Sequence, residues 1–456
     1  GQLPDDDPRD ETPPTWQLLK QTVVTNVYGV DIVEPAVEIT KLRLWLSIVA
    51  AVERGAVDSY EPDDLALPNI VFSVQQGNSL IGFTDLVETT ADNNDAGEGS
   101  NNGSQAVLDN WGPESVAEKY EDVIEAMERH EAATDTATAA EYLREAEDKK
   151  ESYRPDLDAK IHQRFRDAGV DVTPQRVTEY DPFHWVLEFA PVYADGGFDV
   201  IVGNPPWNRI KPSRDDFFST YDDETAFRSL RGDEKDERQA ALLERPAVAE
   251  AWDAYQRDVE IRATYFNDGP DYEMQESTVA GRTQASENDL SSLFLERVFD
   301  LARGDGYVSQ VLPGRIFHGA PTKTLREYLL DETTVRSLVS FENHGIFDNV
   351  DTRYNFGVVT FENSGETDQF RGVFQHTDTS VLEDTAALVE IPREILTSFA
   401  PSSLVFPRVQ SADDLGVLAS AFQFPAVSDE DRPWYAVPRR PLDKTADSER
   451  FYDDPT

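Results

Sequence analysis

Residues 204–207, Asn-Pro-Pro-Trp, are the part of this sequence best suited to chemistry. They follow Phe-Asp-Val-Ile-Val-Gly at residues 198–203, an apolar run that predicts a buried parallel strand. The prolines stiffen the chain just beyond that strand, at the edge of an α/β sheet where ligands bind. The side-chain oxygen of Asn204 and the carbonyl of Pro205 are two acceptors that can hold the N–H bonds of an amino group, and Trp207 adds a flat indole. The alternative is an ordinary proline turn after a core strand.

Two other predicted strands end in polar residues. Val-Tyr-Gly-Val-Asp-Ile at residues 27–32 predicts a strand with Asp31 near its carboxyl end, where an acid can accept both hydroxyls of a ribose. The alternative for this Asp is a role at the start of the following helix, for which Pro35 suits the first turn. Ile-Val-Phe-Ser-Val at residues 70–74 predicts a second strand, which leads into Gln-Gly-Asn-Ser-Leu at residues 76–80.

Helices and further strands complete an α/β pattern. Residues 88–110 are rich in Asn, Asp, Gly and Ser and predict a flexible acidic linker. Amphipathic periodicity predicts a helical hairpin at residues 113–131 and 137–168, which we interpret as an inserted spacer. The later sequence predicts a charged helical stretch at 213–266, a helix at 289–303, a strand at 306–313, a helix at 321–331, and strands at 335–341 and 356–361.

The composition is strongly acidic. The 456 residues include 88 acidic and 41 basic ones, which gives a formal net charge of −47, and 10% are aromatic. The acidic residues are dispersed and apolar segments recur, which favours folded structure over a disordered acidic tail. Dispersed Asp and Glu with little Lys is typical of a salt-saturated cytoplasm, so we interpret the source as haloarchaeal.

The composition also limits the function. Cys is absent, which excludes disulfides, thiolate metal sites and a Cys nucleophile. Neither a signal peptide nor an apolar run of about 18 residues is present, so we expect a cytoplasmic protein without a membrane segment. An excess of acidic residues disfavours DNA binding, because the neutralisation of DNA phosphates by basic side chains normally supplies much of the affinity. In multi-molar salt the Debye length falls to about 3 Å, so net charge does not exclude a DNA substrate.

Several motifs lie along the chain in a consistent order. They are the segment 27–32 with Ala-Val-Glu-Ile-Thr-Lys-Leu-Arg-Leu-Trp at 36–45, the segment 76–80, Phe-His-Trp-Val-Leu-Glu-Phe at 183–189, Val-Gly-Asn-Pro-Pro-Trp-Asn-Arg-Ile-Lys at 202–211, Asn-Asp-Leu-Ser-Ser-Leu-Phe at 288–294, Phe-Glu-Asn-His-Gly-Ile-Phe at 341–347 and Thr-Arg-Tyr-Asn-Phe at 352–356. Together they resemble the Eco57I-like branch of γ-class DNA adenine-N6 methyltransferases, which are the methylase domains of type IIG restriction enzymes and related phage-defence proteins. The resemblance covers roughly residues 16–440, and residues 183–189 ahead of 202–211 are its most specific stretch.

The resemblance implies a fold, a cofactor and a substrate. The fold would be a Rossmann-like α/β methyltransferase core, with a mostly parallel sheet, one antiparallel strand and helical insertions. The cofactor would be S-adenosylmethionine, and the substrate would be double-stranded DNA. An adenine amino group is a poor nucleophile because its lone pair is delocalised into the ring. Acceptors at Asn204 and Pro205 would favour a more tetrahedral nitrogen, so catalysis would depend on positioning rather than on a general base.

The resemblance also assigns roles to individual residues. The catalytic group would be Asn204, Pro205, Pro206 and Trp207. The cofactor contacts would be Asp31, Ile32, Asn78, Ser79 and Asn204. Because the target base must leave the helix, Trp207 and Phe347 would stack on its two faces. Without the resemblance, an ordinary core aromatic is the favoured interpretation of Phe347. In this family Asp is frequent at the position of Asn78, but an amide can still pair with an adenine edge.

Basic residues and histidines near these motifs permit two interpretations each. Arg209, Lys211, Arg214 and Arg315 are candidates for DNA phosphates, and an ion-paired or solvated role is the alternative for each. His184 and His344 lack companion ligands in sequence, so we expect packing or hydrogen bonding and no metal site.

The motifs divide the chain into six predicted segments. They are residues 16–87, the first part of the methyltransferase core on the cofactor side; 88–180, the acidic linker and helical hairpin; 181–212, the core strand with Asn-Pro-Pro-Trp; 213–288, a helical insertion; 289–364, the second part of the core; and 365–456, a connecting region toward a target-recognition domain.

One motif of the resembled family has no counterpart here. No Gly-rich loop of the kind that holds the methionine end of the cofactor precedes residue 27. We therefore interpret the chain as a fragment or one member of a split gene, whose partner supplies the first motif, target recognition or a nuclease. Two alternatives stay open: a methyltransferase acting on a protein glutamine or on RNA, and a catalytically inactive subunit that binds DNA or a partner protein.

Overall fold

The computed structural model describes most of the chain. The described residues are 15–52, 72–84, 115–133, 136–222, 226–279, 281–285, 288–348 and 350–424. The predicted linker at 88–110, the start of the strand predicted at 70–74 and the end of the segment 365–456 lie outside these ranges.

Helices and strands alternate through much of the described sequence. The helices are α1 (Thr15–Asn26), α2 (Glu34–Ala50), α3 (Ser115–Ala132), α4 (Thr136–Asp167), α5 (Pro174–Glu179), α6 (Trp185–Glu188), α7 (Ala190–Ala194), α8 (Arg214–Ser219), α9 (Gly232–Leu243), α10 (Pro246–Asp268), α11 (Leu290–Leu301), α12 (Arg315–His318), α13 (Lys323–Asp331), α14 (Arg393–Phe399) and α15 (Ala412–Ala421). The strands are β1 (Gly29–Asp31), β2 (Val74–Gln76), β3 (Phe198–Gly203), β4 (Glu276–Val279), β5 (Arg282–Ala285), β6 (Ala302–Pro313), β7 (Thr334–Glu342), β8 (Asn355–Glu362), β9 (Gln369–His376) and β10 (Val389–Pro392).

The largest sheet in the described part of the chain is mixed. Its strands lie in the order β10–β9–β7–β8–β6–β3. Strands β3, β6, β7 and β9 run in one direction, while β8 and β10 run against them. The α/β class agrees with the expectation, but the expected single antiparallel strand is wrong. The second reversed strand arises because short 3₁₀ turns at Thr379–Leu382 and Thr385–Ala387 bring β10 back along β9.

Strands β1 and β2 form a separate parallel pair. β2 begins at Val74, so the strand lies later than residues 70–74, where the apolar pattern predicts it. The polar residue Gln75 belongs to the strand because its side-chain amide donates to two carbonyls, those of Phe72 (2.9 Å) and Glu188 (3.2 Å). Burial of a polar side chain is tolerated when it is hydrogen-bonded in this way.

Helices α3 and α4 form a hairpin that packs into the core. Val123 of α3 and Ile161 and Phe165 of α4 are fully buried. They belong to the same apolar cluster as Ile81. The hairpin therefore supports the chain just after residues 78–80, which is a larger role than that of the spacer inferred from sequence.

A second core lies between the large sheet and helices α11 to α14. Leu295, Leu312, Leu338 and Phe361 are fully buried in it. Each side chain of this size contributes about 1.5–3 kcal/mol when it is removed from water. This core holds β6 against β3 and so fixes where β3 ends. Among the described residues, no helix combines the length and the apolar character that crossing a bilayer requires.

Candidate active-site cleft

The main cleft of the described structure has a volume of about 1080 Å³ and lies at the carboxyl ends of β1 and β3. One wall consists of Asp31, Ile32 and residues 78–80. The other wall consists of residues 203–206 and 208–211. The remaining lining residues come mainly from β1, β3, β6 and helices α6, α8, α10 and α11. Pockets for small molecules typically enclose about 300–1,000 Å³, so a nucleotide-sized ligand fits here.

The cleft brings together most of the residues that the sequence analysis singles out. Those that line it are Asp31, Ile32, Asn78, Ser79, Asn204, Pro205, Pro206, Arg209 and Lys211. Four predicted residues do not line the cleft, and these are Trp207, Phe347, Arg214 and Arg315. The site therefore divides into an open cleft and an adjacent group of aromatic and basic residues.

Strand β3 ends at Gly203 and presents Asn204 to the cleft. A Cβ at Gly203 would lie 2.7 Å from the side-chain nitrogen of Gln310, so a side chain there would displace the Gln310 amide. Gln310 itself is 3% exposed, lines the cleft from β6, and was not identified from the sequence. Asn204 is exposed, and its side-chain amide bonds to no other described residue, so both polar atoms are available to a ligand. Pro205 beside it is buried.

The chain that follows Asn-Pro-Pro-Trp is held by a short backbone ladder. The amide of Leu290 donates to the carbonyl of Asn208 at 2.9 Å, and the amide of Ile210 donates to the carbonyl of Asn288 at 2.9 Å. Asn288 has a positive φ of 56°, a conformation that Asn adopts more readily than most residues. The beginning of α11 therefore sets the path of residues 208–210.

An ion pair reinforces this ladder. Asp289 is 2% exposed and caps α11 by accepting the amide of Ser291 at 3.0 Å. Its carboxylate also pairs with Arg315, and Arg315 donates to the carbonyl of Trp207 at 2.7 Å. Arg315, a predicted DNA contact, thus has two partners within the protein. The sequence pattern flagged residues 288–294 as a motif but did not single out Asp289.

Trp207 lies in an aromatic group outside the cleft. Its ring meets Phe347 edge-to-face at 5.6 Å and Phe356 at 5.8 Å between centroids. Rings about 4.5–7 Å apart contact each other, so no base fits between Trp207 and Phe347 in this arrangement. Tyr354 lies nearly parallel to Trp207, at 6.4 Å and 19°, and is 45% exposed. Tyr354 was not identified as a site residue from the sequence, although Tyr354 belongs to the motif at 352–356.

Residues 78–80 are held by buried side chains. The indole N–H of Trp185 donates to the carbonyl of Ser79 at 3.0 Å. The hydroxyl of Tyr272 and the guanidinium of Arg297 both donate to the carbonyl of Leu80, at 2.7 and 3.0 Å. Burial raises the pKa of Tyr272, which keeps its hydroxyl protonated as a donor. Tyr272 and Arg297 are each 3% exposed, so residues 78–80 are held by a buried polar network.

The stretch 183–189 packs directly against the same wall. The amide of Phe183 donates to the carbonyl of Ile81 at 2.8 Å. Gly82 has a φ of +145°, and a Cβ there would lie 2.0 Å from the carbonyl oxygen of Phe183. Glycine is therefore required at residue 82 for this close approach. The most family-specific stretch of the sequence thus has a structural role in positioning residues 78–80.

A buried ion cluster lies beneath this stretch. Glu188 is 3% exposed and accepts from Lys150 at 2.6 Å and from Arg154, both on α4. Burial alone would raise the pKa of Glu188, but Lys150 and Arg154 lower it below its usual range. His184 is fully buried, with Nε2 at 3.1 Å from Asp158, also on α4. Helix α4 is therefore tied to residues 184–188 by charge as well as by apolar packing.

The other predicted polar residues have protein partners. His344 is exposed, with Nε2 at 3.3 Å from Glu342, and Arg214 pairs with Asp236 at 2.6 Å. Within the described ranges, no cluster of three or more His, Asp or Glu side chains forms a candidate metal centre.

The donors and acceptors of the cleft suit a nucleoside cofactor. One oxygen of the exposed Asp31 carboxylate accepts the amide of Val33 at 2.8 Å, which leaves the other for ribose hydroxyls. The side-chain oxygen of Asn78 accepts the amide of Leu80 at 3.2 Å, which leaves its amino group for an adenine edge. Apolar Ile32 lies beside these groups. The residues present are therefore compatible with the adenosine part of S-adenosylmethionine.

The fold and the cleft define an α/β protein with a pocket between the end of β1, which includes Asp31, and the end of β3, which leads into Asn204. The chain belongs to the Eco57I restriction-modification methylase family, which matches residues 25–233 and 255–347. This match covers more than half of the chain and includes both walls of the cleft.

Individual relatives cover smaller parts. A protein of Methanocaldococcus jannaschii described as a type II restriction enzyme and methyltransferase is 30% identical over 239 residues, which cover 44% of this chain and 20% of that protein. Among solved structures, a protein of Vibrio vulnificus described as a modification subunit of a type I restriction enzyme is 13% identical, with a TM-score of 0.28, over 49% of this chain and 40% of its own. The type IIG restriction endonuclease BpuSI is 15% identical, with a TM-score of 0.25, over 46% of this chain and 21% of its own. The matched region thus spans about a fifth of the length of the curated relative.

Proposed function

We propose that this chain is a site-specific DNA methyltransferase that transfers a methyl group from S-adenosylmethionine to N6 of adenine. It would act in a restriction-modification or phage-defence system, and its core would be Rossmann-like. The observation that carries the proposal is the shared cleft, in which the unpartnered amide of Asn204 lies opposite a wall that contains Asp31 and Asn78. Membership of a restriction-modification methylase family supports the same reaction class.

The cofactor would be held by the wall that contains Asp31, Ile32 and residues 78–80, and by Asn204. The residues proposed to contact it are Asp31, Ile32, Asn78, Ser79 and Asn204. When bound, S-adenosylmethionine supplies an electrophilic methyl group. The buried network around Tyr272 and Arg297 would keep residues 78–80 in one position, because a fully satisfied buried polar network is rigid.

The adenine amino group would be held by the Asn-Pro-Pro-Trp wall. The side-chain oxygen of Asn204 and the carbonyl of Pro205 accept its two N–H bonds, which makes the nitrogen more tetrahedral and exposes its lone pair. These groups act by preorganised position, without ionising. The adenine must leave the DNA stack to reach them, and Trp207 offers a surface for it. Because Trp207 and Phe347 already touch, we expect Phe347 to move when the base enters.

The DNA would approach along the exposed side of the same wall. Arg209 and Lys211 are exposed at the edge of the cleft and are candidate phosphate contacts. A separate chain would supply the first cofactor motif, target recognition or a nuclease.

Methyl transfer tests this proposal directly. Purified chain is incubated with labelled S-adenosylmethionine and unmethylated double-stranded DNA in high KCl, and the modified base is identified by mass spectrometry. We expect N6-methyladenine from the wild-type chain. Asn204→Ala should lower the rate on the order of 10²–10³-fold, by analogy with loss of one preorganised hydrogen-bonding group. The matched control is Asn267→Ala, which removes an exposed amide at the end of α10 outside the cleft.

The outcomes separate the rival functions. Label on a protein glutamine or on RNA, with none on DNA, would replace the DNA substrate by one of these. A folded wild-type chain that binds DNA but transfers no label, alone or with its partner chain, would indicate the inactive binding subunit. Equal rates for Asn204→Ala and Asn267→Ala would remove Asn204 from the reaction.

A further inference from the structure

A second cavity is lined by Tyr354, whose ring lies nearly parallel to that of Trp207, and it shares no lining residue with the main cleft. It has a volume of about 470 Å³. Its lining residues come from the end of β6, helix α12, the turn before β8 and a segment after α14, and they are Pro313, Gly314, Arg315, His318, Asp351, Arg353, Tyr354, Asn355 and Arg408. Nothing in the proposed reaction at Asn204 uses this cavity.

The charges around this cavity differ from those of the protein as a whole. The chain carries a formal net charge of −47, with about two acidic residues for each basic one. The cavity instead has three guanidinium groups, those of Arg315, Arg353 and Arg408, and one carboxylate, that of Asp351. A cavity lined mainly by positive charge in an acidic protein is typical of an anion-binding site.

Arg408 supplies the least compensated of these charges. It is exposed and forms no ion pair with any residue that the structure describes. Arg353 is paired with Asp351 through two hydrogen bonds of 2.9 and 2.7 Å, and Arg315 is paired with the buried Asp289. An arginine without a partner, at the edge of a cavity in an acidic protein, is available for an external anion.

His318 lines the cavity close to the positive charges of Arg408 and Arg326. Its Nδ1 lies 2.8 Å from the carbonyl oxygen of Gly314 and so must carry a proton, while its buried Nε2 has no partner among the described residues. Burial is the main reason that the pKa of His318 is lowered, and the charges of Arg408 and the fully buried Arg326 lower it further. An anion placed in the cavity would offset the repulsion between these positive charges.

The cavity is connected to the proposed base site by direct contacts. Arg315 lines the cavity and donates to the carbonyl of Trp207 at 2.7 Å. Tyr354 also lines it, and its ring lies nearly parallel to that of Trp207. An anion bound here would therefore be separated from the Trp207 indole by one layer of side chains. In DNA, a backbone phosphate is close to each base in the same way.

We propose that this cavity binds a backbone phosphate of the DNA strand that carries the target adenine. The proposal rests on the proposed function, because it requires DNA to be the substrate. Guanidinium groups suit a phosphodiester because their planar N–H donors match two oxygens at once. Phosphate contacts fix the register of a protein on DNA without reading sequence. The phosphate would thereby anchor the strand while the adenine turns toward Trp207.

The experiment measures DNA affinity without chemistry, as a function of salt. A fluorescent mixed-sequence duplex is titrated with wild-type chain and with Arg408→Gln over a series of KCl concentrations. We expect Arg408→Gln to weaken binding about fivefold at the lowest salt. The slope of log affinity against log salt should fall in magnitude by about 0.9, the value for one lost phosphate contact on duplex DNA. The matched control is Arg166→Gln, which removes an exposed arginine on α4.

A gain of affinity provides a second test that misfolding cannot imitate. Asp351→Asn removes the single carboxylate that lines the cavity, so DNA should bind more tightly than to wild type. The proposal is overturned if Arg408→Gln and Arg166→Gln have equal affinities and equal slopes, or if Asp351→Asn leaves binding unchanged. In those cases methyl transfer by the wild-type chain would still stand. A wild-type chain that binds no DNA at any salt would overturn the DNA substrate and this site together.

Discussion

The two walls of the main cleft are held in place in different ways. Residues 78–80 are held by Trp185, Tyr272 and Arg297, each of which donates a hydrogen bond to a main-chain carbonyl of this segment. Residues 204–210 are largely exposed and are fixed by two backbone hydrogen bonds and by the contact between Arg315 and the Trp207 carbonyl. Residues 78–80 are therefore held by side chains of the core, although Asp31 and Ile32 on the same wall are exposed. Residues 204–210 are attached to the core at only a few points.

This difference suits the two ligands of the proposed reaction. A small cofactor needs a site that is formed before it arrives, because preorganisation reduces the entropy lost on binding. A base that turns out of DNA needs a site that can open, and the touching rings of Trp207 and Phe347 require movement before a base can stack. We therefore expect substitutions beneath the first wall to affect stability and cofactor binding, and substitutions around the second to affect the DNA step.

The largest expected effect comes from the ion cluster beneath the first wall. Glu188→Gln leaves Lys150 and Arg154 without their carboxylate, and removing one partner of a buried pair costs about 3–5 kcal/mol. Urea unfolding at pH 7 measures the loss. Cofactor affinity, measured by calorimetry, should fall as well, because loss of the ion cluster would shift the main chain of Glu188, whose carbonyl accepts from Gln75 of β2.

The same substitution has a defined pH dependence. Because Lys150 and Arg154 hold the folded-state pKa of Glu188 below its usual range, the ion cluster stabilises the protein above the unfolded pKa of about 4.3. This stabilisation is lost as pH falls from there through the lower folded pKa. The difference in unfolding free energy between wild type and Glu188→Gln should therefore shrink below about pH 4. A difference that stays constant with pH would contradict the role of the charge.

A smaller effect is expected at the second wall. Arg315→Ala leaves the buried Asp289 without its cation and the Trp207 carbonyl without its donor, at a cost of about 2–3 kcal/mol in unfolding free energy. Methyl transfer should slow while cofactor affinity stays near that of wild type. If Arg315→Ala lowers the rate of methyl transfer and the cofactor affinity by equal factors, the two walls do not serve different ligands. Arg315→Lys, which keeps the charge but not the planar donor pair, should recover part of the stability.

The smallest expected effect is that of Tyr272→Phe. It removes the hydrogen bond to the carbonyl of Leu80 and the two that the hydroxyl accepts from Arg297. Leu80 still accepts from Arg297, so the loss should be about 1–2 kcal/mol. Cofactor affinity should fall by a corresponding small factor, with little change in DNA affinity. A change confined to DNA affinity would show that residues 78–80 do not serve the cofactor alone.

Local sequence patterns predicted most of the elements around the site. The helices predicted at 289–303 and 321–331 correspond to α11 and α13, and the predicted strand that ends before Asn204 corresponds to β3. These elements have apolar residues at helical or strand spacing, and the turn residues after them are distinctive. The sequence also singled out nine residues that line one cleft, because polar residues at strand ends meet at one edge of a sheet.

The sequence by itself determined the Asn-Pro-Pro-Trp segment, the polar strand ends and the α/β class, because each depends on neighbouring residues. Tertiary structure alone decided which distant groups hold them. Arg297 reaches the carbonyl of Leu80 across 217 positions, and Arg315 reaches the carbonyl of Trp207 across 108. A main-chain carbonyl leaves no mark in the sequence, so its donor cannot be read from a pattern. The pairing of Tyr354 with Trp207 and the basic cavity around Arg408 were likewise set only when the chain folded and brought separate segments together.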